Sequence, residues 1–149
     1  MATPLQALTP DQRRRVRNSF DALRDMAVPV ALLFYGKLFQ LDPGARPLFH
    51  NDLSLQSQKL MDMLTAIVES LEDFDAMRVK LAELGHKHAS YGVHPEQYGT
   101  LATALVWTLG QALGADFDAP TRAAWQAALA AVAQAMTAEI TQAAAGPQP

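Results

Sequence analysis

Apolar residues recur along this chain at spacings of three and four. In "LSLQSQKLMDMLTAIVESL" the residues Leu60, Met63, Leu64, Ile67 and Leu71 fall on one stripe. In "DAMRVKLAELGHKHASYG" the stripe is Met77, Leu81, Leu84, His88 and Tyr91. A step of about 100° per residue turns such a pattern into one buried face of a helix. No stretch alternates apolar and polar residues as a half-buried strand would. The expected fold class is therefore all-α.

Punctuation marks where each helix begins and ends. "LTPDQ" sets Thr9 as N-cap, Pro10 at the first helical position and Gln12 three residues past the cap, which is a capping box. That helix should run to about Asp25, and "VPVALLFYGKLFQL" should be helical from about Val28 to Leu41. "DPGARPLFHND" holds two prolines and a glycine and predicts a tight corner with at most one helical turn. The two striped helices come next, the second ending at Gly92. Pro95 restarts the chain, and Asp118 with Pro120 opens the last helix. With no repeat and no linker, residues 1–149 read as a single domain of six to seven helices, with residues 1–8 and 145–149 as frayed tails.

Bulk composition narrows the function classes. Half of the residues are hydrophobic, enough for a packed core in a chain of this length. The net charge of −3 gives no reason to expect nucleic acid or an anionic membrane as partner. The one basic run, "RRRVR" at Arg13–Arg17, is flanked by acidic residues and reads as the solvated face of the first helix. Cysteine is absent, which removes disulfides, thiolate metal sites and covalent haem attachment. Without a signal peptide or a membrane-length apolar run, a soluble, cytoplasmic protein is expected.

Three of the four histidines lie in "LGHKHASYGVHPEQY". His88 falls on the apolar stripe, His86 points nearly opposite, and His94 follows the helix end. An inward histidine alone is more often a hydrogen-bonded core residue than a ligand. Two further polar residues point inward, however. Gln56 extends the Leu60–Leu71 stripe one turn back, and Tyr35 sits within "LLFYGKLF". A long amide on an apolar face is costly to bury without a partner.

In order and spacing, "LFYGKLFQLDPGARPLF", "SLQSQKLMDML", "LGHKHASYGVHPEQY" and "AAWQAALAAVAQAMTAE" resemble the globin superfamily. The likeness is to single-domain bacterial haemoglobins related to flavohaemoglobins and neuroglobins. It covers about residues 9–140 and implies a globin fold around haem b (iron protoporphyrin IX). By this resemblance His88 is the proximal ligand to iron, and Phe49 wedges against the porphyrin. Tyr35 and Gln56 form the distal pocket with Leu60 beside them. Leu84 and Val93 contact the macrocycle, Tyr98 stands near the proximal ligand, and Lys59 and Lys87 are candidates for the propionates.

The sequence also departs from the family pattern. Glutamine stands where vertebrate globins usually carry histidine, which argues against the internal bis-histidine closure of neuroglobin. A gapless alignment to flavohaemoglobins would put Lys59 at the distal site, whereas the apolar stripe favours Gln56. Glu139 falls one residue from a proximal glutamate of flavohaemoglobins and is not assigned that role. No flavin or nicotinamide domain is present, so an external reductase is expected.

The implied function is binding of dioxygen, nitric oxide and carbon monoxide at a pentacoordinate iron, with Tyr35 and Gln56 donating hydrogen bonds. Two donors to a charged acceptor predict slow oxygen release rather than easy oxygen transport. Nitric oxide detoxification as a dioxygenase is the expected enzymatic role, in a monomer or homodimer. The alternatives are a haem peroxidase or nitrite reductase, and a haem-free helical interaction or sensor module. The peroxidase ranks lower because neither Tyr35 nor Gln56 is a base near neutral pH.

Overall fold

The computed structural model describes residues 8–49 and 52–145, with side chains described up to residue 137. Among these residues the chain is helical and forms no strand. Six α-helices succeed one another: α1 (Pro10–Leu23), α2 (Ala27–Leu41), α3 (Leu53–Ser70), α4 (Phe74–Ser90), α5 (Pro95–Leu113) and α6 (Ala119–Ala145). Short 3-10 segments at Arg24–Met26, Pro43–Leu48 and Gly114–Asp116 turn the corners.

Local chemistry fixes most boundaries. The Thr9 capping box forms: the Gln12 backbone N–H donates to Thr9 Oγ1 at 3.1 Å, and the Thr9 N–H donates to Gln12 Oε1 at 3.0 Å. Asp52 and Asp73 cap α3 and α4 by accepting from the N–H groups of Leu55 and Ala76. Such caps satisfy donors that the first helical turn leaves without partners. The first helix ends at Leu23, two residues before the expected Asp25, and tightens into a 3-10 turn. Pro29 explains this, because it has no N–H to continue the helical ladder across the junction. Leu8, expected in a frayed tail, is buried at 7% exposure, and its carbonyl accepts from Arg13 at 2.6 Å. The tails at residues 1–7 and 146–149 lie outside the described residues.

The core is built where α1, α2, α5 and α6 meet. Trp125, Phe20, Phe34, Leu105 and Leu109 are each 2% exposed or less. Trp125 keeps its one polar atom satisfied, its Nε1–H donating to Ser19 Oγ at 2.7 Å. Within the basic run of α1, Val16 alone is buried, while Arg14 and Arg15 pair with Asp11 and Arg17 pairs with Glu72. The run is a solvated face, as expected.

Helices α4 and α6 approach each other unusually closely. A Cβ built on Gly85 would lie 1.8 Å from the carbonyl oxygen of Met136. Helix α4 therefore rests backbone to backbone on α6, and only glycine fits at that crossing. Gly85 lies one turn before His88, so this contact sets how deep the histidine sits.

Candidate functional site

Helices α2 to α6 do not close on one another completely. Between them lies a cavity of about 810 Å³. That is within the range of small-molecule and cofactor sites. The apolar stripes read from the sequence converge on it, and so do most of the chemically notable residues.

His88 lines the cavity from α4. Its Nδ1 lies 2.8 Å from the carbonyl oxygen of Leu84, one turn back on the same helix. A carbonyl can only accept, so Nδ1 carries the proton. When the ring is neutral, this arrangement leaves Nε2 with a lone pair and no proton, the form in which imidazole binds a metal. Leu84 and Tyr91, on the same stripe, also line the cavity. They are nonetheless 39% and 67% exposed, because their stripe faces the opening and not a packed neighbour. The chain turns at Gly92 with φ of 96°, a left-handed conformation that favours glycine. The N–H groups of Tyr91 and Val93 both donate to the His88 carbonyl, at 3.1 and 3.0 Å, which ties Val93 against the cavity.

The facing wall comes from α2, the Pro43–Leu48 corner and α3. Tyr35, Phe49, Gln56, Lys59 and Leu60 all line the cavity. Rings from α2 and the corner interlock: Tyr35 lies 4.9 Å from Phe34 and 5.1 Å from Phe49, both edge-on, and Phe39 lies 5.7 Å from Phe49. These distances fall within the favourable range for aromatic pairs. The Tyr35 hydroxyl donates to the Gln56 backbone carbonyl across a long 3.4 Å. Burial pushes the Tyr35 phenol up to about 12, so it remains a proton donor throughout the physiological range. Gln56 is half-buried beside it, whereas Lys59, one turn further on, is exposed at the rim. Both Gln56 and Lys59 line the cavity, and it is the backbone carbonyl of Gln56 that meets the Tyr35 hydroxyl.

Tyr98 lines the cavity from α5. Its hydroxyl is buried without a hydrogen-bond partner among the described residues, and burial raises its pKa. Lys87 is exposed and outside the cavity lining, since one residue's step from His88 turns it away. The side chain of Glu139 lies outside the described residues. Sequence reasoning missed the floor of the cavity, made by Leu129, Val132 and Met136 of α6. It also missed Asp42 and Gln97, which line the cavity and join each other through Gln97 Nε2 and Asp42 Oδ2 at 3.0 Å.

The arrangement is an apolar slot with one metal-competent imidazole on one wall and two hydrogen-bonding side chains on the other. A planar, largely apolar cofactor with an open metal position fits that donor set. Comparison with known proteins agrees. The family model described as Globin matches residues 32–136. Neuroglobin of Tetraodon nigroviridis is 28% identical over 135 residues, covering 81% of this chain and 85% of the relative. Neuroglobin of Chaenocephalus aceratus is 27% identical, covering 89% of this chain and 92% of the relative. A solved structure described as an engineered carbene transferase, putative nitric oxide dioxygenase from Rhodothermus marinus, superposes with a TM-score of 0.76 at 26% identity. That superposition covers 93% of this chain and 96% of the other. With the family match spanning most of the chain and the slot in its expected place, this protein is a member of the globin family and a haem protein.

Proposed function

We propose that this globin holds haem b through His88 and binds dioxygen and other diatomic gases on the face toward Tyr35 and Gln56. The observation that carries the reading is the His88 ring, whose Nδ1 is committed to the Leu84 carbonyl while the residue lines the cavity. Haem, when bound, supplies an iron that takes a diatomic gas as ligand and can cycle between ferrous and ferric states. The chain would supply the rest. His88 Nε2 is the protein ligand, and Phe49, Leu60, Leu84 and Val93 provide apolar contact for the macrocycle. Lys59 at the rim would be a cation for a propionate.

Tyr35 and Gln56 provide selectivity. With haem bound, the two side chains would offer donors to a gas ligand that carries partial negative charge, and so would favour dioxygen over carbon monoxide. The Tyr35 hydroxyl, held by only a 3.4 Å contact, can turn to such an acceptor at little cost, and the Gln56 amide offers a second donor. Each is worth about 1.5–3 kcal/mol to a charged acceptor. Slow oxygen release suits reaction with a second molecule better than delivery. We therefore read the activity as conversion of nitric oxide and dioxygen to nitrate, with an external reductase returning the iron to the ferrous state. The relative described as a putative nitric oxide dioxygenase supports this reading.

An absorption spectrum tests the first part: haem uptake gives a Soret band that His88→Ala should abolish or shift. Mixing the oxygenated protein with nitric oxide tests the second. Stoichiometric nitrate and ferric protein are expected, and an oxygenated spectrum that persists would remove the dioxygenase activity and leave gas binding.

A further inference from the structure

Asp42 and Gln97 also line the cavity, and the proposed binding of haem and gas uses neither of them. Asp42 ends α2 and begins the Pro43–Leu48 corner that leads to Phe49. Gln97 lies in the first turn of α5, just past the turn that carries Val93. The two are 55 residues apart in sequence, yet Gln97 Nε2 donates to Asp42 Oδ2 at 3.0 Å. The other end of the Gln97 amide is also used: its Oε1 accepts from the His94 backbone N–H at 2.7 Å. One side chain thus ties the turn after His88 to the corner before Phe49. Both partners are half-buried and both line the cavity, so the bond joins its two walls. No other side-chain hydrogen bond among the described residues links those two corners directly.

We propose that the Asp42–Gln97 hydrogen bond is a latch that joins the walls of the slot and sets how fast haem escapes from it. The proposal rests on the reading that haem lies between His88 and the Tyr35–Gln56 wall. For a flat cofactor to leave sideways, the corner carrying Phe49 and the turn carrying Val93 must separate. A hydrogen bond to a carboxylate resists that separation more strongly than one between neutral groups. Asp42 and Gln97 act as positioning residues and need not touch iron or gas.

The exchange of partners provides the test. Gln97→Glu keeps an oxygen for the His94 N–H and replaces the donor with a carboxylate facing Asp42, so the latch gives way to a like-charge pair. Asp42→Ala removes the acceptor. Joining Asp42→Asn to Gln97→Glu restores one hydrogen bond with its direction reversed. Release of haemin from reconstituted protein to excess apomyoglobin should be about tenfold faster for each single variant, and within about threefold of the parent for the exchanged pair. Equal release from parent and both single variants would overturn the proposal, and so would an exchanged pair as fast as Gln97→Glu.

Denaturant unfolding without haem of the parent, Gln97→Glu, Asp42→Asn alone and the exchanged pair gives an independent coupling between the two positions. Coupling there, with unchanged haemin release, would leave the bond real and its role as a latch refuted. Absence of any coupling would refute it as well. A parent that shows coupling but takes up no haemin would refute the site reading and the latch together, a result distinct from the others.

Discussion

The two walls of the slot are held by different means. The α4 wall is fixed by backbone: Gly85 rests on the Met136 carbonyl, and His88 is turned by the Leu84 carbonyl one helical turn away. The α2–α3 wall is fixed by side chains, through the interlocked rings of Phe34, Tyr35, Phe39 and Phe49. The hydrogen bond from the Tyr35 hydroxyl to the Gln56 carbonyl is long. Under the proposed function the division has a use. His88 as a metal ligand would need the constant position and tautomer that backbone contacts give. Tyr35 as a gas-binding donor would need the freedom to re-aim that a loosely held hydroxyl has.

Damage to the rigid wall should cost the most. Gly85→Ala places a methyl group against a backbone carbonyl that cannot rotate away, so α4 must lift from α6. A loss of about 3 kcal/mol in chemical unfolding is expected, together with weakened haem uptake, since His88 moves with the helix. Unchanged stability would mean that the two backbones are not in contact. Next comes the adjustable wall. Tyr35→Phe and Gln56→Leu should each raise the dioxygen release rate about 10- to 100-fold in stopped-flow measurements while hardly changing carbon monoxide release. Equal effects on both gases would point to a steric role.

Phe49→Leu should act on the same wall more gently. It removes two ring contacts but keeps an apolar side chain, and a cost of about 1–2 kcal/mol in thermal unfolding is expected. A titration should give the weakest signal of the set. Because burial raises the Tyr35 phenol to about 12 from an unfolded value near 10, its contribution to stability is complete below pH 10 and is lost between pH 10 and 12. Melting temperatures of the parent and Tyr35→Phe should therefore run parallel below pH 10 and converge or cross above it. A constant difference up to pH 12 would contradict the buried, protonated phenol.

Local pattern made much of the site legible. The stripe through Leu81, Leu84 and His88 needs only helical periodicity, and the α4 wall is regular helix. The same arithmetic favours Gln56 over Lys59, because Gln56 continues the face of Leu60 and Leu64. Where an apolar face meets a cavity instead of a neighbour, the pattern misleads about burial, as Leu84 and Tyr91 show. Gly85 carries a faint signal as a glycine within a helix, but nothing in its surroundings names Met136 as its partner.

Residues a few positions apart are enough to specify the helices, their caps, the face on which His88 lies and the order of motifs shared with globins. All of these could be read along the chain for that reason. The depth of α4 on α6, the meeting of Tyr35 with Gln56 and the bond between Asp42 and Gln97 come from long-range packing. They depend on where distant segments come to rest. A carboxylate at 42 and an amide at 97 are ordinary polar residues until the fold brings them within 3.0 Å.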